Sequence, residues 1–288
     1  MPGPSDHPPI PPTSRAAMPV FRDGAHRRVG AGAFGEGLSD GDAARYDDVR
    51  PGYPQEVVAL VGAGVGAGTT DAGTIGAALD VLDVGAGTGK LTAALVASGH
   101  RVTAVEPGAE MLAALGRACP DVARVRATAE ATGLADGSFD AITCAQTWHW
   151  VDVPAASAEF ARLLRPGGRV VLTWNTLDVR VPWVHRLTRI MHAGDVQKPG
   201  FVPDVAAPLR ITDELRLEWE QLLTPEQIVM LARTRSYWLR SAQQTREKVE
   251  ANLRWYLHDH LGFASDDVVP LPYRCDSFVL EVAGRGGT

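Results

Sequence analysis

The segment LDVGAGTGKLT, Leu82 to Thr92, sets Asp83 two residues before Gly85, Gly87 and Gly89, between a short apolar run and a helical one. Glycine suits a turn where a ligand lies against the backbone, because a Cβ would hold the ligand off and φ there can be positive. A helix starting near Lys90 aims free N–H groups at whatever the turn holds. Spacing then separates the nucleotide-type turns. A phosphate-cradling loop needs GxxxxGK[ST], but the residue five before Gly89 is Val84, and Lys90 is followed by Leu91. A dinucleotide fingerprint needs Gly or Ala three residues after its second glycine, and counted from Gly85 and Gly87 that position is Lys90. A GxGxxG string at Gly30, Gly32 and Gly35 follows no apolar strand and is read as a chance match. Glu106 lies 21 residues after Gly85, in VTAVEPG, at the end of the next apolar run. A carboxylate only accepts hydrogen bonds, so it can take two from the paired hydroxyls of a ribose.

These residues need elements to position them. Apolar runs at residues 79–84, 101–105, 123–126, 141–145 and 169–174 are bounded by Gly, Pro or Asp and separated by helical lengths. That alternation predicts βα units and a parallel sheet. Residues 42–61 read as a turn and a short helix, with Pro54 in the first helical turn. Later, residues 214–221 alternate as an amphipathic strand, and Thr224-Pro225-Glu226-Gln227 has capping-box spacing. A helix is predicted from about 242 to 260, closed by Gly262, and a last strand over 273–282. Six of the first twelve residues are Pro, so residues 1–36 are expected to be a disordered leader, with Met18 an alternative start. Residues 62–78, rich in Gly, Ala and Thr, read as a loop.

Glycine turn and acid together resemble the first two motifs of the class I S-adenosylmethionine-dependent methyltransferases, in their small-molecule (type 11-like) branch. Two later stretches are similar to the same family. In VRATAEATGLADGSFDAITCAQTWHWVD, the family's acid-Ala-Glu at the adenine edge is represented by Thr128, Ala129 and Glu130, so the usual acid is missing. LLRPGGRVVLTWN, residues 163–175, resembles the turn into the fifth strand, and ARYDDVRPGYP, residues 44–54, an N-terminal cap whose Tyr and Arg cover the cofactor. The resemblance is strong over residues 42–176 and thin beyond. It implies an α/β fold, a doubly wound, mostly parallel seven-stranded sheet with a late antiparallel strand and a small helical cap. Residues 37–288 would form the methyltransferase domain, with 176–260 contributing the cap. S-adenosyl-L-methionine would be the cofactor and S-adenosyl-L-homocysteine the product. Asp83, Gly85, Ala86, Gly87 and Gly89 would hold its methionine end and Glu106 its ribose. Ala129 and Glu130 would border the adenine, Pro107 and Met111 would be further cofactor-binding residues, Gln146 and His149 would face the methyl group, and Tyr46 and Arg50 would close over the cofactor.

On the acceptor side, His149 is the candidate catalytic residue, since an imidazole suits proton transfer near neutrality. Tyr53, Trp148, Trp150, Trp174 and Asn175 are the candidate substrate residues. The pair His258 and His260 sits at a helix end, where the dipole favours histidine, and no metal is expected. Composition narrows the partners. Lys plus Arg is 28 against 34 acids, a net charge of −6, which argues against a sequence-independent nucleic-acid binder. No run approaches the roughly 18 apolar residues of a membrane span, and three scattered cysteines fit a reducing cytoplasm. The expected partner is a small-molecule acceptor, the expected state a monomer or homodimer. Two alternatives stay open at the level of sequence: an NAD(P)-dependent oxidoreductase, since NAD also offers a ribose diol, and a non-catalytic S-adenosylmethionine-binding protein.

Overall fold

The computed structural model describes residues 49–63, 78–193 and 197–284. The expected leader, the chance GxGxxG match and Tyr46 lie outside them. Seven strands form one sheet: β1 (Asp80–Val84), β2 (Arg101–Val105), β3 (Ala123–Val125), β4 (Phe139–Ala145), β5 (Leu164–Leu177), β6 (Leu209–Leu223) and β7 (Val269–Val282). Their order is β3-β2-β1-β4-β5-β7-β6. Neighbours from β3 to β5 pair in parallel, and β7 alone runs against both β5 and β6. The sheet is therefore the doubly wound, mostly parallel one expected, with one late antiparallel strand. Strand order reverses between β1 and β4, and in open α/β sheets the carboxyl ends at such a reversal form the ligand crevice.

Helix α1 (Gln55–Gly62) follows Pro54, and α2 (Lys90–Ala97) leaves the glycine turn directly from Gly89. Together they cover one face, where Val58, Val61, Leu91 and Leu95 pack on Val81, Ala141 and Val171. Helices α3 (Ala109–Ala118) and α4 (Val153–Leu163) follow β2 and β4. The Asp152 carboxylate caps α4 by accepting from the Ala155 N–H at 3.1 Å, which satisfies one orphan donor of the first turn. Its Phe160 and Ala156 pack with Leu82, Ile142, Leu172 and Phe278 in the main core of the opposite face.

Above the carboxyl ends sit α5 (Pro182–Ile190), α6 (Pro225–Arg233), α7 (Ser236–Arg240) and α8 (Gln243–Arg254). The capping box at Thr224 is formed in both directions. A second core joins Val184, Leu187, Ile228, Leu231, Leu253 and Leu257 to Leu177, Leu271 and Tyr273 of the sheet. The helix predicted to reach residue 260 is α8 continued by a wider π-type turn, Trp255–His260. There His258 pairs with the Phe263 carbonyl at 2.8 Å, and His260 stacks on Trp255 and Tyr256.

Strands β5, β6 and β7 are longer than their apolar runs. Residues 164–168 (LRPGG) read as a turn, yet Leu164 pairs with Phe139 across a register shift. Strands β6 and β7 pair from Leu209–Val282 to Leu223–Val269, because ladder hydrogen bonding continues past the point where side chains are apolar. Within the stretch expected as cap, Leu209–Leu223 is therefore the edge strand of the sheet itself. Its Asp213, Glu214, Glu218 and Glu220 are exposed, and such charges discourage edge-to-edge pairing.

Candidate active site

The glycine turn stands at the carboxyl end of β1, and its three glycines answer different demands. All have positive φ, +68° at Gly85, +58° at Gly87 and +94° at Gly89. A Cβ on Gly85 would lie 2.3 Å from Thr147 Oγ1, and one on Gly89 would lie 3.0 Å from Leu115 Cγ of α3. These two glycines make room for protein. A Cβ on Gly87 would meet nothing within 4 Å, so this backbone faces open space and is the part of the turn a ligand can approach.

The two acids flanking the turn do different work. Asp83 is buried, and its carboxylate accepts from Thr92 Oγ1 at 2.6 Å and Thr143 Oγ1 at 2.9 Å. It ties β1 to α2 and β4. Burial pushes its pKa up, and the two hydroxyl bonds pull it partly back. Glu106 tops β2 and accepts from the Gly87 N–H at 3.0 Å and the Gly108 N–H at 2.8 Å. A carboxylate has about four lone-pair sites, so two remain while the amide bonds fix its orientation. Its pKa is also raised, first by burial and further by the Asp83 charge, against the pull of the two amides.

Across the crevice, β4 ends in residues held by the neighbouring strand. Gln146 has φ +54°, a left-handed conformation uncommon for a non-glycine residue and often found at functional sites. Its N–H donates to the Thr173 carbonyl at 2.8 Å, and its Nε2 to the Asn175 carbonyl. The Thr147 hydroxyl faces the carbonyls of Ala145 and Gly85 at 3.0 and 3.3 Å, joining this end of β4 to the glycine turn. A tight helical turn, Trp148–Trp150, follows, with the His149 and Trp150 rings 4.7 Å apart.

Comparison with known proteins settles the class. A family model described as a methyltransferase domain matches residues 82–172. An uncharacterized methyltransferase of Mycobacterium bovis is 41% identical over 239 residues, covering 82% of this chain and 92% of that protein. The chain belongs to the class I S-adenosylmethionine-dependent methyltransferases. An uncharacterized methyltransferase-like protein of Schizosaccharomyces pombe is 33% identical over 247 residues, 83% of this chain and 93% of its own. A solved structure described as a type II methyltransferase, from Anaeromyxobacter dehalogenans, shares the fold with a TM-score of 0.58. It is 22% identical and covers 81% of this chain and 97% of that one. Family membership sets aside the oxidoreductase and non-catalytic alternatives.

The methyltransferase places several expected site residues differently from the sequence reading. The side chains of Trp148 and Trp174 belong to the core. Trp148 is buried against Phe160 and donates from Nε1 to the Asp204 carbonyl at 2.8 Å. Trp174 is 2% exposed and packs edge-on against Phe201 and Phe278. Neither lines a crevice, because each points to the apolar face that α4 and residues 197–208 cover. Arg50 is bound to the cap: Nε donates to Thr234 Oγ1 and Nη2 to the Thr234 carbonyl, both at 2.9 Å. Glu130 accepts from the Asp152 N–H at 2.8 Å and so anchors the entry to α4. Ala129 and Met111 are buried, while Pro107 is exposed and accepts from Arg126 Nε at 3.2 Å. Tyr53 is half-buried against the α1–α2 core.

Asn175 proves to be a junction. It donates to the Gly52 carbonyl at 2.7 Å, accepts from Trp219 Nε1 at 3.2 Å, and gives its carbonyl to Gln146. Sequence reasoning missed Thr92, Thr143 and Thr147, which hold Asp83 and Gly85. Two of them were within reach: Thr92 is nine residues after Asp83, near the start of α2, and Thr143 is its register partner on β4.

Proposed function

We propose that the methyltransferase moves the methyl group of S-adenosylmethionine to a small-molecule acceptor in the crevice between the glycine turn and the end of β4. The open face at Gly87, with its amide already committed to Glu106, is the observation that carries this reading. Residues 85–89 would receive the methionine end, and the two free lone-pair sites of Glu106 the ribose hydroxyls. Pro107, Met111, Ala129 and Glu130 would frame the adenine by shape and main chain. Asp83 would act through Thr92 and Thr143, holding the turn in place. The bound cofactor supplies a sulfonium-activated methyl group, and the protein's part is alignment and exclusion of water. Gln146, fixed by two bonds to β5, and His149, on the turn beyond it, would position the acceptor.

The described residues include no helix long and apolar enough to cross a membrane. Acidic net charge and three buried free cysteines support a cytoplasmic enzyme acting on small molecules, with residues 177–190 and 225–260 as its cap.

Calorimetric titration with S-adenosylmethionine, S-adenosylhomocysteine and NAD tests the site. Micromolar binding of both sulfur compounds, with none of NAD, is expected. Glu106→Ala should weaken that binding by about 2–4 kcal/mol, the worth of two hydrogen bonds to a charged group. Wild-type affinity in this variant would move the ribose elsewhere.

A further inference from the structure

Gln146 ends β4 beside the glycine turn, and its half-buried side-chain amide can point only one way. Its Nε2 meets the main-chain carbonyl of Asn175. A carbonyl only accepts, so the amide nitrogen must face it, which leaves Oε1 on the side of the amide away from that carbonyl. The backbone of the residue is equally fixed. Its N–H donates to the Thr173 carbonyl at 2.8 Å, and its φ of +54° is a left-handed conformation that a side chain resists. Glycine would adopt it freely, yet a glutamine stands here, held by two bonds to the next strand. Strain retained at a ligand crevice points to a use for the side chain. Asn175 is itself locked from two further directions. Its side chain donates to the Gly52 carbonyl at 2.7 Å and accepts from Trp219 Nε1 at 3.2 Å.

Gln146 borders the turn that would receive the cofactor. Strand order reverses between β1 and β4 at this point, and the hydroxyl of the next residue, Thr147, lies 3.3 Å from the Gly85 carbonyl. With the methionine end at the turn and the ribose at Glu106, the sulfur that joins them lies between the two. That sulfur carries a positive charge before transfer and none after it. The nearby acids do not read the difference. Asp83 is committed to Thr92 and Thr143, and Glu106 would take ribose hydroxyls that donor and product both carry. A carbonyl-type oxygen held in one orientation is attracted to the sulfonium charge and to the methyl hydrogens it polarises.

We propose that Gln146 is a specificity-determining residue of the methyltransferase: its Oε1 faces the sulfonium and favours S-adenosylmethionine over the neutral S-adenosylhomocysteine, so that the methyl donor competes better with the product. This rests on the reading of the crevice above and goes beyond positioning the acceptor. The test is calorimetric titration of the full chain with three probes: S-adenosylmethionine, S-adenosylhomocysteine, and sinefungin, in which a protonated amine on carbon replaces the sulfonium. Gln146→Met keeps the length of the side chain and removes the oxygen. Gln146→Gly suits the positive φ and keeps the test alive if the Met variant does not fold.

Both variants should lose affinity for S-adenosylmethionine and sinefungin about 5-fold or more relative to S-adenosylhomocysteine, the upper worth of one C–H···O contact. Equal losses for all three probes, or no loss, would overturn the proposal. A loss for S-adenosylmethionine alone would overturn it too, because packing against the methyl group, and not charge, would then explain the preference. Failure of the wild type to bind any of the three would instead sink the reading of the crevice.

Discussion

Asp83 and Glu106, at the glycine-turn end of the crevice, each receive two hydrogen bonds from the protein. Thr176, Gln197 and Arg274, on the β5–β7 face, each keep a buried polar atom without one. The first region is preorganised: its acids are oriented before anything binds, which lowers the ordering cost of binding. The second lies beneath the segment that begins at Gln197, with Arg274 and Arg216 sharing Asp276. The family model matches residues 82–172 and stops before the second region begins. A shared cofactor explains a shared, self-satisfied turn.

The sharpest way to break this contrast lies within the turn. Gly85→Ala adds a Cβ 2.3 Å from Thr147 Oγ1 at φ +68°. Left-handed strain and overpacking together should cost about 2–5 kcal/mol of stability, read as a lower denaturant midpoint. Gly87→Ala meets open space, so it should cost only the strain, about 1–2 kcal/mol, while lowering cofactor affinity more than stability. Equal stability losses in the two variants would erase the distinction between a glycine that makes room for protein and one that faces the ligand.

A smaller effect is expected where α4 holds the loop before β4. Glu159 accepts from the Thr132 N–H and from Arg162 in two-pronged fashion, at 2.9 and 2.8 Å. Arg162 also donates to the Leu134 carbonyl at 2.7 Å. Chiefly through Arg162, the Glu159 carboxyl is held down to about 2. Such a depressed acid adds stability that is present above its unfolded-state pKa and is lost as pH falls toward about 2. Glu159→Gln should therefore cost about 1–3 kcal/mol at neutral pH and flatten acid unfolding below pH ~4. An unchanged acid limb would show that the pair contributes nothing.

The gentlest effect concerns Glu106, whose pKa is raised by burial. The sign is opposite for folding: a raised carboxyl binds its proton more tightly when folded, so its contribution falls as pH rises through that range. Cofactor binding needs the carboxylate and should weaken as pH falls through the raised pKa, by at most about tenfold per pH unit. Calorimetry of wild type and Glu106→Ala side by side, from neutral pH down to the ordinary carboxylate range, would show it. Affinity flat across that interval in wild type, matching Glu106→Ala, would remove the acid from the ribose.

Much of this was legible from residue types along the chain. The glycine spacing, the acid at the end of β2, the capping box at Thr224 and the βα alternation are local signals, set by φ, by hydrogen-bond capacity and by periodicity within a few residues. They determined the fold class and a ribose-bearing cofactor, which the family resemblance then named. Tertiary structure decided which side chains reach the crevice. Trp148 and Trp174 looked available in sequence and went to the core, because strand alternation and the covering segment at residues 197–208 fix their direction. Arg50 looked like a cofactor residue and became a tie to Thr234, 184 positions away. Thr147 and Arg274 carried no motif. Their roles arise from contacts with Gly85 and Gln197 across 62 and 77 positions, and such contacts exist only once the sheet has brought distant strands into register.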